Sequence, residues 1–139
     1  MRSVVLIVGL CLSACGGDTK PPLVATHIVV SKPIPGMRMS AGYLSLTNNT
    51  KDAISITRVT SDDFEAVEIH ESLLEDGVAK MQRIQKLMVP ANSSVSLEPG
   101  GKHLMLMRPS NGIDTVSLSF YSDDTLILSV DAPLTPRNN

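Results

Sequence analysis

The chain has 139 residues, enough for one domain with one hydrophobic core. Its formal net charge is −2, which argues against the basic footprint of a phosphate or nucleic-acid binder. Aromatic residues make up only 3% and tryptophan is absent, which argues against stacking platforms for sugars or single strands.

The first element in chain order is a leader. Arg2 supplies a short positive region, and residues 4–12 form an apolar run too short to span a bilayer comfortably. The run ends in Leu12-Ser13-Ala14-Cys15, which resembles the lipobox of bacterial lipoproteins. In that family the cysteine is acylated and the chain is cut just before it. The resemblance implies a signal peptide over residues 1–14, a lipid on Cys15 and a polar tether over residues 15–22. Gly16, rather than Asp, follows the cysteine, and by the same resemblance the outer membrane is favoured over the inner. An ordinary secretory signal is the alternative. Cleavage removes Arg2 and Cys11, so 12 basic side chains become 11 against 14 acidic ones, net −3. No thiol pair is left in the expected mature chain, so a soft-metal site there must be built without thiolates.

Short β-rich runs follow, at 24–30, 42–47, 54–59, 65–71, 78–84, 95–97, 103–107, 115–121 and 126–130. Turn signals separate them, among them Glu75-Asp76-Gly77, Pro99-Gly100-Gly101 and Ser122-Asp123-Asp124. Many short strands at this spacing predict an antiparallel sandwich or barrel. Residues 64–74 also suit a helical turn or two, and residues 131–139 read as a frayed end. Alternation supplies the core: Leu44 and Leu46, then Val116, Leu118 and Phe120, then Leu126, Leu128 and Val130. Such a core can fold without a metal.

Against this ordinary background, His103-Leu104-Met105-Leu106-Met107 places an imidazole and two thioethers on one face of a strand. A second pair, His70 and Met81, flanks the Glu75-Asp76-Gly77 turn. A hairpin about that turn makes them cross-strand neighbours to within a residue or so, where Cβ atoms are about 5 Å apart. His70, Met81, His103 and Met105 are therefore the candidate metal ligands, drawn from three strands. Two imidazoles and two thioethers suit a soft monovalent ion, Cu(I), one per chain. Zn(II) favours thiolate or carboxylate, and Mg(II) and Ca(II) favour oxygen. Blue-copper electron transfer needs a Cys thiolate. A neutral ligand set can release its ion to stronger donors, which suits a carrier better than an enzyme.

The spacing His70–(10 residues)–Met81–(21 residues)–His103–x–Met105 resembles the signature of the PCu(A)C-type periplasmic copper chaperones. Ala41-Gly42-Tyr43-Leu44-Ser45-Leu46-Thr47-Asn48 is similar to that family's early strand. The resemblance spans residues 23–133 and implies an all-β, cupredoxin-like Greek-key β-sandwich. It implies a Cu(I) site from those four residues and delivery to a periplasm-facing cuproenzyme. The implied acceptor is the CuA centre of cytochrome c oxidase subunit II, or another assembly chaperone. Two departures stand out. Arg108-Pro109-Ser110-Asn111-Gly112 replaces the family's Gly-Leu-type continuation, which touches the partner-facing rim. The tail, residues 134–139, lacks the His and Met of some relatives, so no second copper site is expected there.

The other soft residues read differently. Met107 is expected in the core and Met88 as packing; Met37 and Met39 are loop residues that can shield a copper site or act as weak transfer ligands. His27 has no soft partner nearby, and the Asp62-Asp63 and Asp123-Asp124 pairs read as solvated turns. No nucleophile–base set, catalytic carboxylate pair, P-loop or CxxC is present, so no enzyme is expected. The expected partners are a copper acceptor and, through the lipid, a membrane, with no nucleic acid and a monomeric chain. A copper buffer or resistance lipoprotein, and a metal-free interaction or scaffold sandwich, are the competing readings.

Overall fold

The strands expected from alternation form, and they wrap into a ring. The computed structural model describes residues 20–33 and 36–136; the predicted leader and Cys15 lie outside them. Every regular element is a strand: β1 (Leu23–Ser31), β2 (Met39–Asn48), β3 (Ile54–Ile56), β4 (Arg58–Thr60), β5 (Phe64–Glu75) and β6 (Val78–Ile84). These are followed by β7 (Leu87–Val89), β8 (Ser94–Leu97), β9 (Lys102–Pro109), β10 (Thr115–Ser122) and β11 (Thr125–Thr135). Hydrogen bonding runs β1-β11-β10-β4-β5-β9-β2-β8, and β1 also pairs with β2, which closes the ring. β6 extends outward from β5, while β3 and β7 form a small separate ladder. The neighbours β10–β4, β5–β9 and β9–β2 are not sequential, so the all-β sandwich has crossover connections.

The inner face is filled as period two dictates. Leu46, Leu104, Leu106, Val30 and Val116 are all 0% exposed. Each such side chain contributes about 1.5–3 kcal/mol relative to exposure. Gly42 on β2 lets the sheet pack closely, since a Cβ there would sit 3.1 Å from Leu106 Cδ1 and 3.2 Å from Leu104 Cβ, tighter than ordinary contact. Buried Asn48 ties the end of β2 to its surroundings: its Nδ2 lies 2.8 Å from Asp52 O and 3.0 Å from Val89 O. Its Oδ1 accepts the Thr50 N–H at 2.8 Å.

Several sequence expectations are corrected. The run at 54–59 is two strands in different ladders, because Thr57 N–H donates to Tyr121 O and the chain changes partners there. Residues 87–89 form an unforeseen strand on which Leu87 and Val89 point inward, leaving Met88 47% exposed instead of packed. Residues 64–74 are strand throughout. Residues 131–135 are not frayed: they continue β11, bury Ala132 and Leu134, and pair Leu134 with Val30 in parallel. Leu126 faces solvent because the β10–β11 register shifts between Phe120 and Tyr121. Asp63 does more than sit in a solvated turn, since its Oδ2 accepts the Ser117 N–H at 2.8 Å.

Candidate metal centre

The site is built on the outward face of β2, β9, β5 and β6. Strict pairing places His70 of β5 directly opposite His103 of β9, Glu68 opposite Met105, and Ala66 opposite Met107. On the other side of β9, Ala41 faces Met105 and Met39 faces Met107. Cross-strand partners share a face. His103, Met105 and Met107 therefore stand together, while Leu104 and Leu106 fill the core behind them. This corrects the expectation that Met107 is a core residue: it is half-buried, on the face of the histidine.

The β5–β6 hairpin brings in the fourth candidate. Asp76 and Gly77 have φ of 50° and 78°, the left-handed pair that a two-residue type I′ turn requires. That turn pairs Glu75 with Val78 and, counting back, Ser72 with Met81 and His70 with Arg83. Met81 is thus diagonal to His70 on one face, offset by two residues where the hairpin expectation allowed about one. Diagonal neighbours lie about 7–8 Å apart, within reach of a long side chain. Met81 is 54% exposed on the outer strand.

The His70 and His103 rings each have one nitrogen hydrogen-bonded and, among the described residues, one without a partner. His103 is buried, and its Nδ1 lies 3.1 Å from Gly101 O. A carbonyl only accepts, so Nδ1 carries the proton and Nε2 keeps its lone pair. His70 Nε2 lies 2.8 Å from the Glu68 carboxylate, which fixes its proton there. Its Nδ1 is buried with no hydrogen-bond partner among the described residues. Unpaired buried acceptors are costly, and an orphaned imidazole nitrogen is what a metal ion would satisfy. The two rings are 6.0 Å apart, centroid to centroid. Glu68 also holds Arg83 Nη1 at 3.0 Å, which braces the carboxylate from the β6 side. In the sequence, only the i, i+2 spacing of Glu68 and His70 on one strand signals this carboxylate.

Beside the rings opens a cavity of about 420 Å³. His103, Met105 and Met81 line it, and Met37, Met39 and Tyr43 complete most of its wall. None of its lining residues is charged. His70 does not line it; it lies alongside His103, turned toward Glu68. Among the described residues no three His, Cys, Asp or Glu converge as a metal cluster. A metal here depends on thioethers, and the donor set fits a soft ion better than a hard one. A second hollow, lined by Lys20, Asn48, Asn49 and neighbouring hydroxyl residues, offers no soft donor.

Residues 23–134 match the family model described as "Putative lipoprotein LpqE-like". An uncharacterized protein of Rickettsia prowazekii (strain Madrid E) is 28% identical over 117 residues, covering 77% of this chain and 65% of that protein. "Putative lipoprotein Lxx21020" of Leifsonia xyli subsp. xyli is 30% identical over 73 residues, covering 52% of this chain and 44% of that protein. The chain thus spans less than two thirds of the length of either curated relative. Among solved structures, the copper-bound PCuAC domain from PmoF2 superposes with a TM-score of 0.68 at 19% identity, covering 84% of this chain and 94% of that one. CuI-DR1885 from Deinococcus radiodurans superposes with a TM-score of 0.65 at 24% identity, covering 86% and 82%. The fold is that of the PCuAC domains.

Proposed function

The chain belongs to the LpqE-like family, and from that premise we propose that it is a Cu(I)-carrying lipoprotein whose cargo is held by His70, Met81, His103 and Met105. The observation that carries this reading is His103 beside the thioethers of Met81 and Met105 in a cavity lined by no charged group, with His70, whose Nδ1 has no hydrogen-bond partner among the described residues, directly behind it at 6.0 Å between ring centroids. Neutral soft donors hold a monovalent soft ion without neutralising it, so a partner with thiolate donors can take it away. The names of two structural neighbours, a copper-bound PCuAC domain and CuI-DR1885, support copper as the cargo. Catalysis has no support from the donor set, which offers neither a nucleophile–base pair nor a thiolate.

The proposed acceptor is a periplasm-facing cuproenzyme. The PCu(A)C resemblance points to the CuA centre of cytochrome c oxidase subunit II or to an assembly chaperone that feeds it. An acyl chain on Cys15, followed by the tether, would keep the monomeric carrier at a membrane, with the outer membrane favoured.

A competition titration against a chromophoric Cu(I) chelator tests the reading. One equivalent is expected to bind tightly, and X-ray absorption on the loaded protein is expected to count two nitrogen and two sulfur neighbours. Binding of that ion to the folded state alone stabilises it by about 2.7 kcal/mol at free metal a hundredfold above the dissociation constant. The reading fails if no tight equivalent binds, or if His103→Ala and Met81→Leu leave the affinity unchanged.

A further inference from the structure

The proposed ligand set leaves two thioethers of the same cavity unused. Met37 and Met39 are 47% and 41% exposed, yet both line the cavity that His103, Met81 and Met105 line. Their placement is anchored. Arg108 N–H donates to Arg38 O at 2.8 Å, which holds the segment between the two methionines against the end of β9. One residue beyond Ser40, Ala41 N–H donates to Ser31 Oγ at 3.1 Å. Met39 is the first residue of β2 and sits directly opposite Met107; Ala41, two residues on, sits opposite Met105. Met39 and Met105 are therefore diagonal neighbours on one face. Of the six methionines in the described residues, only Met88, on β7 of the separate β3–β7 ladder, is not placed on this face or in this cavity.

We propose that Met37 and Met39 form a second, weaker soft-ion station at the mouth of the cavity, sharing Met105 with the inner site. This rests on the Cu(I) reading above and adds the route by which the ion arrives and leaves. The outer station offers thioethers alone, and the inner one adds two imidazoles, so the inner site binds more tightly. Met105, between them, allows the ion to move by ligand exchange. A sulfur of Met37 or Met39 joins as an imidazole leaves. The ion stays Cu(I), and no electron or proton has to move. The uncharged cavity wall adds no fixed counter-charge that would trap the cation on the way.

Silver(I), a soft monovalent probe that does not change oxidation state, separates the two stations. It is titrated into protein carrying ¹³C-methyl methionine and followed by NMR. The first equivalent is expected to shift the Met81 and Met105 methyl signals, and further silver to shift those of Met37 and Met39. The double variant Met37→Leu/Met39→Leu keeps the apolar surface and removes both sulfurs. It is expected to lose the second event and to give up its first ion to an external chelator several-fold more slowly. His103→Ala is expected to abolish the first event while the Met37 and Met39 signals still respond. A second event that persists in the double variant, or Met37 and Met39 signals that never move, overturns the outer station. If those signals respond but no first event occurs, the inner site fails instead. An unchanged release rate in the double variant overturns the route.

Discussion

β9 shows two faces of one strand under opposite demands. Leu104 and Leu106 are 0% exposed and belong to the hydrophobic core. Between and beside them, Met105 and Met107 are half-buried on the outer face, next to a buried histidine whose Nε2 is free. The inner face secures the fold through volume and the outer face presents lone pairs. Because side chains alternate with period two, the two tasks occupy alternate residues and do not compete for position. A carrier of the proposed kind would benefit from this separation: the core would hold the strands in register while the cargo came and went.

Substitutions on the two faces are expected to act on different quantities, and four of them test the division in order of size. Leu106→Ala should cost about 2–5 kcal/mol of unfolding free energy by leaving a cavity at a fully buried position. Urea denaturation of the metal-free protein measures it, and a cost much below that range would mean the inner face is not the stabilising one. His103→Ala should weaken Cu(I) binding by about 100-fold or more, because losing a ligand exceeds the cost of losing an outer partner of one. Chelator competition measures that loss, while the alternation argument predicts that the strand pairing of β9 survives, as far-UV circular dichroism would report. Gly42→Ala should cost about 1–3 kcal/mol, since the new methyl meets Leu106 Cδ1 at 3.1 Å and Leu104 Cβ at 3.2 Å. Affinity should be nearly unchanged by it, so an equal loss of binding would break the separation of faces. Glu68→Ala should lower affinity by about tenfold by freeing the His70 tautomer, the usual size for a ligand-orienting carboxylate. Retained affinity would place the orphaned Nδ1 of His70 outside the site.

Much of this was legible along the chain. The alternations at 42–47 and 115–121 identified the strands and their buried residues, because burial of one face demands period two. Asp76-Gly77 is a readable hairpin turn, and counting outward from it yields the Ser72–Met81 pairing, which turns the expected near-opposition of His70 and Met81 into a diagonal one. Other features were not readable. Thr57 looks like any strand residue, and its partner Tyr121 is distant in sequence, so the change of ladder is invisible locally. Residues 131–135 carry a proline and few apolar side chains, and it is antiparallel pairing of 131–133 with β10 and parallel pairing of Leu134 and Thr135 with β1 that makes them strand. Met37 and Met39 look like loop residues until β2 and β9 pair and turn them toward His103.

The sequence by itself determined which residue types stand on which face of each strand, and so the chemistry of the proposed donors: imidazole and thioether. Covalent alternation suffices for that, since it needs no partner. The tertiary structure alone decided which strands became neighbours. That choice set His70 against His103, left Glu68 to fix a proton, and gathered methionines from β2, β6 and β9 around one cavity. The physical reason is that strand pairing joins residues through hydrogen bonds whose partners are chosen by the packing of the whole ring, over separations that no local pattern encodes.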